Sequence, residues 1–328
     1  MEKPSLPSGT RDFSPQVMLR RKYITAAMER VFLSHGFGAL ETPSIENLKT
    51  LQGKYGNEGD QLLFKVLNSG DFLSKAEASL LQAKDSKGIT PQISDRGLRY
   101  DLTVPLARYV VMNRNEIVFP FKRYQMQPVW RADRPQKGRY REFWQCDIDV
   151  VGANSVVSEA ELIEMYQEVF SALDLGVKIR INHRGILDAF MSVLGSKEHW
   201  DAFMVIIDKA DKIGYEGVAK ELEEKGLSVA INAWKWLWDS KSLMGNGLKM
   251  ECAADAEFLQ GDALSRGLSE LKSIFALVGN TENVELDFTL ARGLSYYTGA
   301  VFEVEALDDR LPLDFRLGSI GGGGRYDN

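Results

Sequence analysis

Apolar residues recur at helical spacing near the start of the chain. Ser14 is a candidate N-cap and Pro15 stands at the first helical position, so a helix is predicted to begin there. Ile24 and Val31 lie on the same face of that helix, and Gly36 provides its stop signal. The first element is therefore predicted to be an amphipathic helix.

Alternating apolar and polar positions predict strands further along the chain. Residues 98–103, Leu-Arg-Tyr-Asp-Leu-Thr, alternate with a period of two and predict a strand, after which Pro105 opens a helix. Ser158 with Glu161 three residues later has the pattern of a capping box and predicts a helix start. Residues 177–181 alternate again and predict another strand.

The window 121–142 predicts a long antiparallel hairpin. One strand is expected over 123–131 and the other over 139–150, joined by the turn-rich sequence Asp-Arg-Pro-Gln-Lys-Gly. Lys and Arg dominate this window, whereas 143–170 contains neither and carries only acidic charges. The hairpin loop is therefore predicted to be a basic feature on an otherwise acidic protein.

The pattern becomes helical over 184–280 and returns to strands at 284–288 and 299–305, before a tetraglycine at 321–324. These shifts predict an α+β protein in which an antiparallel sheet is flanked by helices and interrupted by a helical insertion. The predicted regions are a core over 1–183, the insertion over 184–280, and a return to the core over 281–328.

Composition narrows the class of protein. The chain has 328 residues, 44% hydrophobic and 26% charged, with a net charge of −6, which excludes a disordered protein. No apolar run is long enough to span a bilayer, and no secretory signal is expected at the start. Cys146 and Cys252 are too few to staple such a fold, which indicates a reducing, cytoplasmic setting. A pI of about 5.4 excludes nucleic-acid binding by bulk charge but permits a local basic surface.

Arginines and acids on neighbouring strands are the candidate chemistry. Arginine forks suit phosphate or carboxylate, and acidic residues suit a cationic group. The combination fits a zwitterionic ligand beside a polyphosphate, whereas isolated charges of this kind would more often form a solvated sheet face. The residues in question are Arg131, Arg139, Arg141, Arg292, Asp101, Asp147, Asp149, Tyr296 and Tyr297.

Four segments together resemble the histidyl-tRNA synthetase family, a class II aminoacyl-tRNA synthetase family. Residues 98–105 resemble its amino-acid-binding strand, and 130–143, Trp-Arg-Ala-Asp-Arg-Pro-Gln-Lys-Gly-Arg-Tyr-Arg-Glu-Phe, resemble class II motif 2. Residues 292–299, Arg-Gly-Leu-Ser-Tyr-Tyr-Thr-Gly, and 322–327, Gly-Gly-Gly-Arg-Tyr-Asp, resemble its two histidine-specific motifs. The order of the segments matches the family, so the resemblance implies its class II fold.

The resemblance implies residue roles in an ATP-dependent reaction. Arg131 and Arg292 would be catalytic, lying against the α-phosphate, and Pro43 would lie at a homodimer interface. ATP would be bound by Arg131, Asp133, Arg139 and Phe143, with Phe143 stacked on adenine. Histidine would be bound by Asp101, Thr103, Gln145, Asp149, Tyr296, Tyr297 and Tyr326.

The resemblance implies activation of L-histidine with ATP, with Mg²⁺ expected, and transfer to tRNA(His). Class II motif 3 and the anticodon-binding domain are missing, which predicts a catalytic-region fragment. An alternative is a synthetase-like, histidine-sensing regulatory subunit of ATP phosphoribosyltransferase. A third possibility is a tRNA-sensing module of a larger kinase, although the chain shows no kinase signature.

Overall fold

A computed structural model describes residues 3–52, 62–135, 138–207, 209–243, 245–256, 259, 261–291, 296–307 and 318–327. The chain divides into two units, Met1–Ala153 and Asn154–Asn328. The predicted functional regions with boundaries at 183 and 280 stay a prediction. Within the described ranges, none of the helices combines the length and apolar character that crossing a bilayer requires.

The first unit contains two sheets and five helices among its described residues. In chain order these are α1 (Pro15–Ser34), β1 (Gly38–Ala39), β2 (Ile45–Asn47), α2 (Leu48–Leu51), β3 (Lys65–Val66), α3 (Ala78–Gln82), α4 (Ser86–Ile93), β4 (Arg96–Leu98), α5 (Thr103–Met112), β5 (Phe121–Trp130) and β6 (Glu142–Val151). Strands β1, β5 and β6 form one sheet, and β2, β4 and β3 form the other.

Helix α1 begins and ends where its sequence signals predicted. The Ser14 hydroxyl accepts a hydrogen bond from the Val17 amide at 3.4 Å, and Pro15 occupies the first turn. The helix buries Val31 and Phe32 and stops just before Gly36, whose φ of +78° suits glycine. Local capping chemistry therefore defines this element.

The predicted hairpin is confirmed as β5 and β6. Their antiparallel register runs from the pair Phe121 and Val151 to the pair Trp130 and Glu142. The short strand β1 joins the other edge of β5 in parallel, with Gly38 opposite Arg123. Side chains alternate between the two faces of each strand, so this register decides which polar groups meet.

Two local predictions were wrong. The strand predicted over 98–103 ends at Leu98, because the Asp101 carboxylate instead accepts a hydrogen bond from the Val104 amide at 3.2 Å at the start of α5. The predicted capping box at Ser158 is also absent. The hydroxyl of Ser155 accepts from the Val157 amide at 3.2 Å, so the next helix begins before Ser158.

The second unit packs helices around a four-stranded sheet. In chain order its described elements are α6 (Val157–Ala172), β7 (Val177–His183), α7 (Arg184–Leu194), α8 (Lys197–Ile207), α9 (Ala210–Glu224), a 3₁₀ turn (Ser228–Ala230), α10 (Ile231–Ser240), α11 (Asn246–Ala254), α12 (Asp262–Leu277), β8 (Val284–Leu286), β9 (Ala300–Ala306) and β10 (Ser319–Gly324). The strand order is β10-β9-β7-β8, and helices α7 to α12 give 184–277 the predicted helical character.

One apolar core ties this sheet to its helices. Ile179 and Ile181 of β7 pack in the same buried cluster as Phe190 of α7, Trp234 of α10 and Leu271 of α12. The burial of large side chains from several helices against one strand fixes the helical segment to the sheet.

Strand β10 is a glycine-rich strand that the sequence analysis did not predict. It pairs with β9 in antiparallel fashion, with Gly324 opposite Val301. A Cβ atom at Gly324 would lie 2.7 Å from the Ala300 carbonyl oxygen and 2.8 Å from the Tyr297 ring. Glycine is therefore required by close packing, although its intrinsic strand preference is poor.

Candidate active site

One face of the hairpin brings several polar side chains of the first unit together. Cross-strand partners in an antiparallel pair share a face, so four pairs lie together on it. We call this the hairpin site face: Arg123 with Asp149, Gln125 with Asp147, Gln127 with Gln145, and Val129 with Phe143. It brings together the predicted site residues Phe143, Gln145 and Asp149.

A buried ion pair stands at one end of the hairpin site face. An Nη2 atom of Arg123 lies 2.6 Å from a carboxylate oxygen of Asp149, and the Arg123 side chain is fully buried. The same nitrogen donates to the Leu102 carbonyl oxygen at 3.3 Å. The negative charge of Asp149, which the resemblance assigns to an imidazole nitrogen, is thus already compensated by a cation. Sequence reasoning missed Arg123, which belongs to this candidate site through its contact with Asp149.

Gln145 and Asp147 occupy the middle of the same face. The Gln145 side-chain nitrogen lies 3.5 Å from an Asp147 carboxylate oxygen. Burial, and then the charges of Asp149 and Asp101, raise the pKa of the Asp147 carboxyl to about 7, against the opposing effects of Arg123 and Arg131. Asp147 was grouped with the strand acids in the sequence but was given no role there.

The buried Gln145 oxygen Oε1 has no hydrogen-bond partner within the part of the chain that the structure describes. Buried acceptors of this kind are costly unless a donor satisfies them. A ligand with an N–H or ammonium group would satisfy it, which fits the predicted role of Gln145 in binding histidine.

Arg131 follows β5 and sits at the other end of the hairpin site face. Its Nε donates to the Tyr100 carbonyl oxygen at 2.9 Å, and its guanidinium lies 5.2 Å from the centre of the Phe143 ring. The hydrogen bond and the aromatic contact orient its planar fork, which is suited to carboxylate or phosphate. Phe143 thus lies beside Arg131 at the edge of the site, and its stacking on adenine stays a prediction.

The loop between the strands is closed by a pair of predicted ATP-binding residues. Arg139 lies 3.1 Å from the Asp133 carboxylate, with the Arg139 side chain 55% exposed. Arg141 donates from Nε to the Asp133 carbonyl oxygen at 2.9 Å. The pair shapes the loop while leaving the Arg139 guanidinium accessible to a phosphate.

The N-terminal segment braces this loop from the opposite face. The Arg141 amide donates to the Gly9 carbonyl oxygen at 2.8 Å. Arg11 lies 3.8 Å from the centre of the Tyr140 ring, and Arg21 lies 5.1 Å from that of Trp144. Residues from the beginning of the chain thus hold the second strand of the hairpin in place.

Asp101, Thr103 and Pro43 are placed by neighbouring elements of the first unit. Asp101 is buried and caps α5, whose first residue is Thr103, so the helix start fixes both residues. Pro43 is exposed next to buried Thr42, whose carbonyl oxygen accepts from Arg99 at 2.6 Å. Asp101 therefore has a structural role that is compatible with the predicted ligand role.

The second unit brings its own predicted site residues together. The ring centroids of Tyr296 and Tyr297 lie 4.3 Å apart, and the Tyr297 ring packs against Gly324 of β10. The Thr298 amide donates to the Arg325 carbonyl oxygen at 2.8 Å, which places half-buried Tyr326 in the segment beside the tyrosine pair. Arg292 lies outside the described residues.

Arg325 anchors that segment and was not predicted. Its guanidinium pairs with Glu159 of α6 at 2.5 and 2.8 Å, a two-pronged contact that raises the pKa of Arg325 through its hydrogen bonds to the carboxylate. Its signal in the sequence was its place inside the second histidine-like motif. Across the described ranges, no group of three or more His, Cys, Asp or Glu residues could hold a metal ion.

Comparisons with known proteins identify the family to which this chain is similar. The sequence model of the family described as histidyl-tRNA synthetase matches residues 72–328. A relative named histidine--tRNA ligase from Christiangramia forsetii is 51% identical over 340 residues, covering 100% of this chain and 71% of the relative. One of the same name from Phocaeicola vulgatus is 51% identical over 330 residues, covering 99% and 71%.

Solved structures show the same fold. The crystal structure of histidyl-tRNA synthetase from Nostoc sp. PCC 7120 matches with a TM-score of 0.79 and 31% identity, over 99% of this chain and 69% of that one. A structure titled ATP phosphoribosyltransferase regulatory subunit/histidyl-tRNA synthetase from Bacillus halodurans matches with a TM-score of 0.77 and 26% identity, over 99% and 77%.

The predicted α+β architecture is confirmed, and it is the catalytic fold of a class II aminoacyl-tRNA synthetase. The chain belongs to the histidyl-tRNA synthetase family. It spans about 71% of the length of the relatives that it matches.

Proposed function

We propose that the chain activates L-histidine with ATP and transfers the histidyl group to tRNA(His). The observation that carries the proposal is the hairpin site face, where Gln145, Asp147 and Asp149 line up beside Arg131. Acceptors for an ammonium and an imidazole thus stand next to a cation for a carboxylate and a phosphate. Relatives at 51% identity carry the name histidine--tRNA ligase.

The reaction needs positioning and charge stabilisation more than covalent chemistry by the protein. A histidine carboxylate oxygen attacks the α-phosphorus of ATP, the bond to the bridging oxygen of the β-phosphate breaks, and pyrophosphate leaves. Arg131 stabilises the negative charge that builds on the α-phosphate. In the second step a ribose hydroxyl of tRNA attacks the activated carbonyl and AMP leaves.

Substrate placement follows the predicted residue roles. Asp101, Thr103 and Gln145 would hold the amino-acid backbone, whereas Asp149 and Tyr297 would each contact an imidazole nitrogen. A histidine-binding role is also proposed for Tyr296 and Tyr326. Arg292 would join Arg131 at the α-phosphate. Asp133, Arg139 and Phe143 place ATP, to which Mg²⁺ would come bound, since Mg²⁺ is usually held by substrate phosphates and few carboxylates.

A homodimer and a cytoplasmic setting complete the proposal. Pro43 and Ile45 lie two residues apart and both are exposed, with Ile45 47% accessible. Exposed apolar side chains of this kind would be available to contact a second copy of the chain. Both cysteines, Cys146 and Cys252, are free thiols, which suits a reducing compartment.

The proposed function is tested by incubating the chain with ATP, Mg²⁺ and each standard amino acid in turn and measuring the pyrophosphate released. We expect release with histidine well above that with any other amino acid. Equal release with all of them would contradict the proposal.

The second candidate is a histidine-sensing regulatory subunit. It is favoured by one structural match, whose title names both a regulatory subunit and a histidyl-tRNA synthetase. A regulatory subunit would bind histidine without making pyrophosphate, so calorimetric histidine binding combined with no pyrophosphate release would favour it.

A further inference from the structure

Asp147 stands out among the acids of the hairpin site face. Its cross-strand partner is Gln125, whereas that of Asp149 is the cation Arg123. The Gln125 side-chain nitrogen is already used, since it donates to the Thr42 hydroxyl at 2.9 Å and to the Gln127 oxygen at 2.5 Å. The carboxyl of Asp147 therefore faces a neutral amide where Asp149 faces a guanidinium.

The charges that face Asp147 come from each neighbouring element. Asp149 lies two residues along β6, Arg123 lies on β5, Asp101 precedes α5 and Arg131 follows β5. These are two anions and two cations, so their formal charges cancel before Asp147 is counted. An ionised Asp147 would be a surplus negative charge on a largely buried face.

Both cations also have other partners. Arg123 is held by Asp149 at 2.6 Å, and the Nε of Arg131 is held by the Tyr100 carbonyl oxygen at 2.9 Å. Burial, with the charges of Asp149 and Asp101, raises the pKa of Asp147 to about 7 despite the two cations, so that the carboxyl holds its proton about half of the time near neutral pH. A cationic ligand nitrogen would supply the compensating charge that the described neighbours do not.

We propose that Asp147 receives the α-ammonium group of the amino-acid substrate and releases its own proton to solvent when that ammonium binds. The inference rests on the proposed function, because it assumes an amino acid in this pocket. Gln145 supports it, since its buried Oε1 lacks a partner among the described residues and can accept a second hydrogen bond from the same ammonium. Asp147 is thus a specificity-determining residue for substrates that carry an amino group.

The proposal couples substrate binding to pH. Only the ionised carboxylate forms a charge-assisted pair with an ammonium, so the affinity for histidine should rise as the pH increases from 6 to 8. Each histidine bound near pH 7 should release a fraction of a proton from Asp147. The imidazole of histidine titrates in the same range, so the test compares ligands that all contain imidazole.

The experiment measures binding of three ligands by calorimetry to the 328-residue chain and to its Asp147→Asn variant. L-Histidine and histidinol carry the amino group, whereas 3-(imidazol-4-yl)propionate lacks it. The variant should bind histidine and histidinol at least about tenfold more weakly, the effect of losing a charged hydrogen bond. The affinity for 3-(imidazol-4-yl)propionate should change by less than about threefold, because this ligand has no amino group to lose a charged hydrogen bond.

Cys146→Ser is the matched control, because Cys146 is exposed on the opposite face of the same strand. Its affinities for all three ligands should equal those of the wild type. Repeating the titrations in buffers with different ionisation enthalpies counts the protons released. The wild type should release more protons with histidine than the Asp147→Asn variant does.

Equal losses of affinity for all three ligands in Asp147→Asn, or unchanged proton release, would overturn the inference. Failure of the proposed function looks different: the wild type would bind histidine with its preference for an amino group yet release no pyrophosphate. The opposite case is also distinguishable. If the wild type releases pyrophosphate with histidine, and Asp147→Asn still prefers ligands with an amino group, only this inference fails and the proposed function stands.

Discussion

Asp147 and Asp149 lie two residues apart on one strand, yet their environments give them opposite effects on stability. Asp149 pairs with buried Arg123, so its charge is needed to compensate that cation. Asp147 is half-buried and has no such partner across the strand, and burial raises its pKa to about 7. The two aspartates therefore offer a matched pair of substitutions.

Replacing Asp149 with Asn should destabilise the protein by about 3 kcal/mol, because it leaves the Arg123 guanidinium buried and unpaired. Urea denaturation at pH 7 measures this change. A loss below about 1 kcal/mol, the range of a surface ion pair, would contradict the interpretation of the pair as buried.

Replacing Asp147 with Asn should stabilise the protein, with a pH dependence set by the raised pKa. The folded state holds the Asp147 proton up to a pH of about 7, whereas the unfolded state releases it near pH 4, at about its ordinary value. Wild-type stability should therefore fall across that window as the pH rises. The gain in the urea midpoint of Asp147→Asn should be near zero at pH 4 and largest above pH 7.

His183 should make the protein sensitive to acid. Its Nδ1 accepts from the Gly185 amide at 2.9 Å and its Nε2 lies 2.9 Å from Glu270, and burial lowers its pKa. The folded state favours the neutral ring. The contribution of His183 to the free energy of unfolding is therefore fully present above the unfolded pKa of about 6.5 and is lost as the pH falls below that value.

The His183→Asn variant retains an acceptor for Gly185 but does not titrate. Its stability should therefore depend less on pH between 5 and 7 than that of the wild type. His199→Asn, at an exposed position of α8, serves as the control and should leave that dependence unchanged. An equal pH dependence in His183→Asn and the wild type would count against this role of His183.

The packing of strand β10 against its neighbours requires glycine, because a larger residue would clash with them. Gly324→Ala would bring a Cβ atom to within 2.7 Å of the Ala300 carbonyl oxygen and 2.8 Å of the Tyr297 ring. We expect a loss of about 1–3 kcal/mol, as for other overpacked sites. Gly318→Ala is the control, because a Cβ there meets nothing within 4 Å. Thermal unfolding of both variants would compare them, and equal stability would contradict the close packing.

Capping chemistry and hairpin signals made some elements predictable from the sequence. Ser14 and Pro15 specify the start of α1 locally, and the turn-rich loop with alternating flanks specifies β5 and β6. Strand β10 was missed because its glycines are explained only by the close approach of β9 and Tyr297. The strand predicted through Asp101 failed because a single side-chain hydrogen bond favours the helix start.

The candidate site was predictable where a motif contains the residue and unpredictable where cross-strand register decides. Arg131 and Phe143 stand in a recognisable segment, and Gln145 follows that segment by two residues. The pairing of Arg123 with Asp149, and the contrasting position of Asp147 opposite Gln125, depend on strand register, which a single sequence does not specify.

At the scale of the whole molecule, the proposed homodimer predicts a defined association. Ile45→Asp would place a charge beside Pro43 on the proposed interface and should shift the protein from dimer to monomer in sedimentation at micromolar concentration. Val205→Asp, at another exposed apolar position that is 62% accessible, is the control and should remain dimeric. A monomeric wild type would contradict the proposal.

We propose that the hairpin site face and Arg131 carry the activation of histidine. Histidine-dependent exchange of labelled pyrophosphate into ATP tests it most directly, with the wild type compared to Arg131→Ala. We predict exchange by the wild type and at least about a hundredfold loss in the variant, the usual scale for removing a group that stabilises transition-state charge. Exchange that needs no histidine, or that survives in Arg131→Ala, would contradict it.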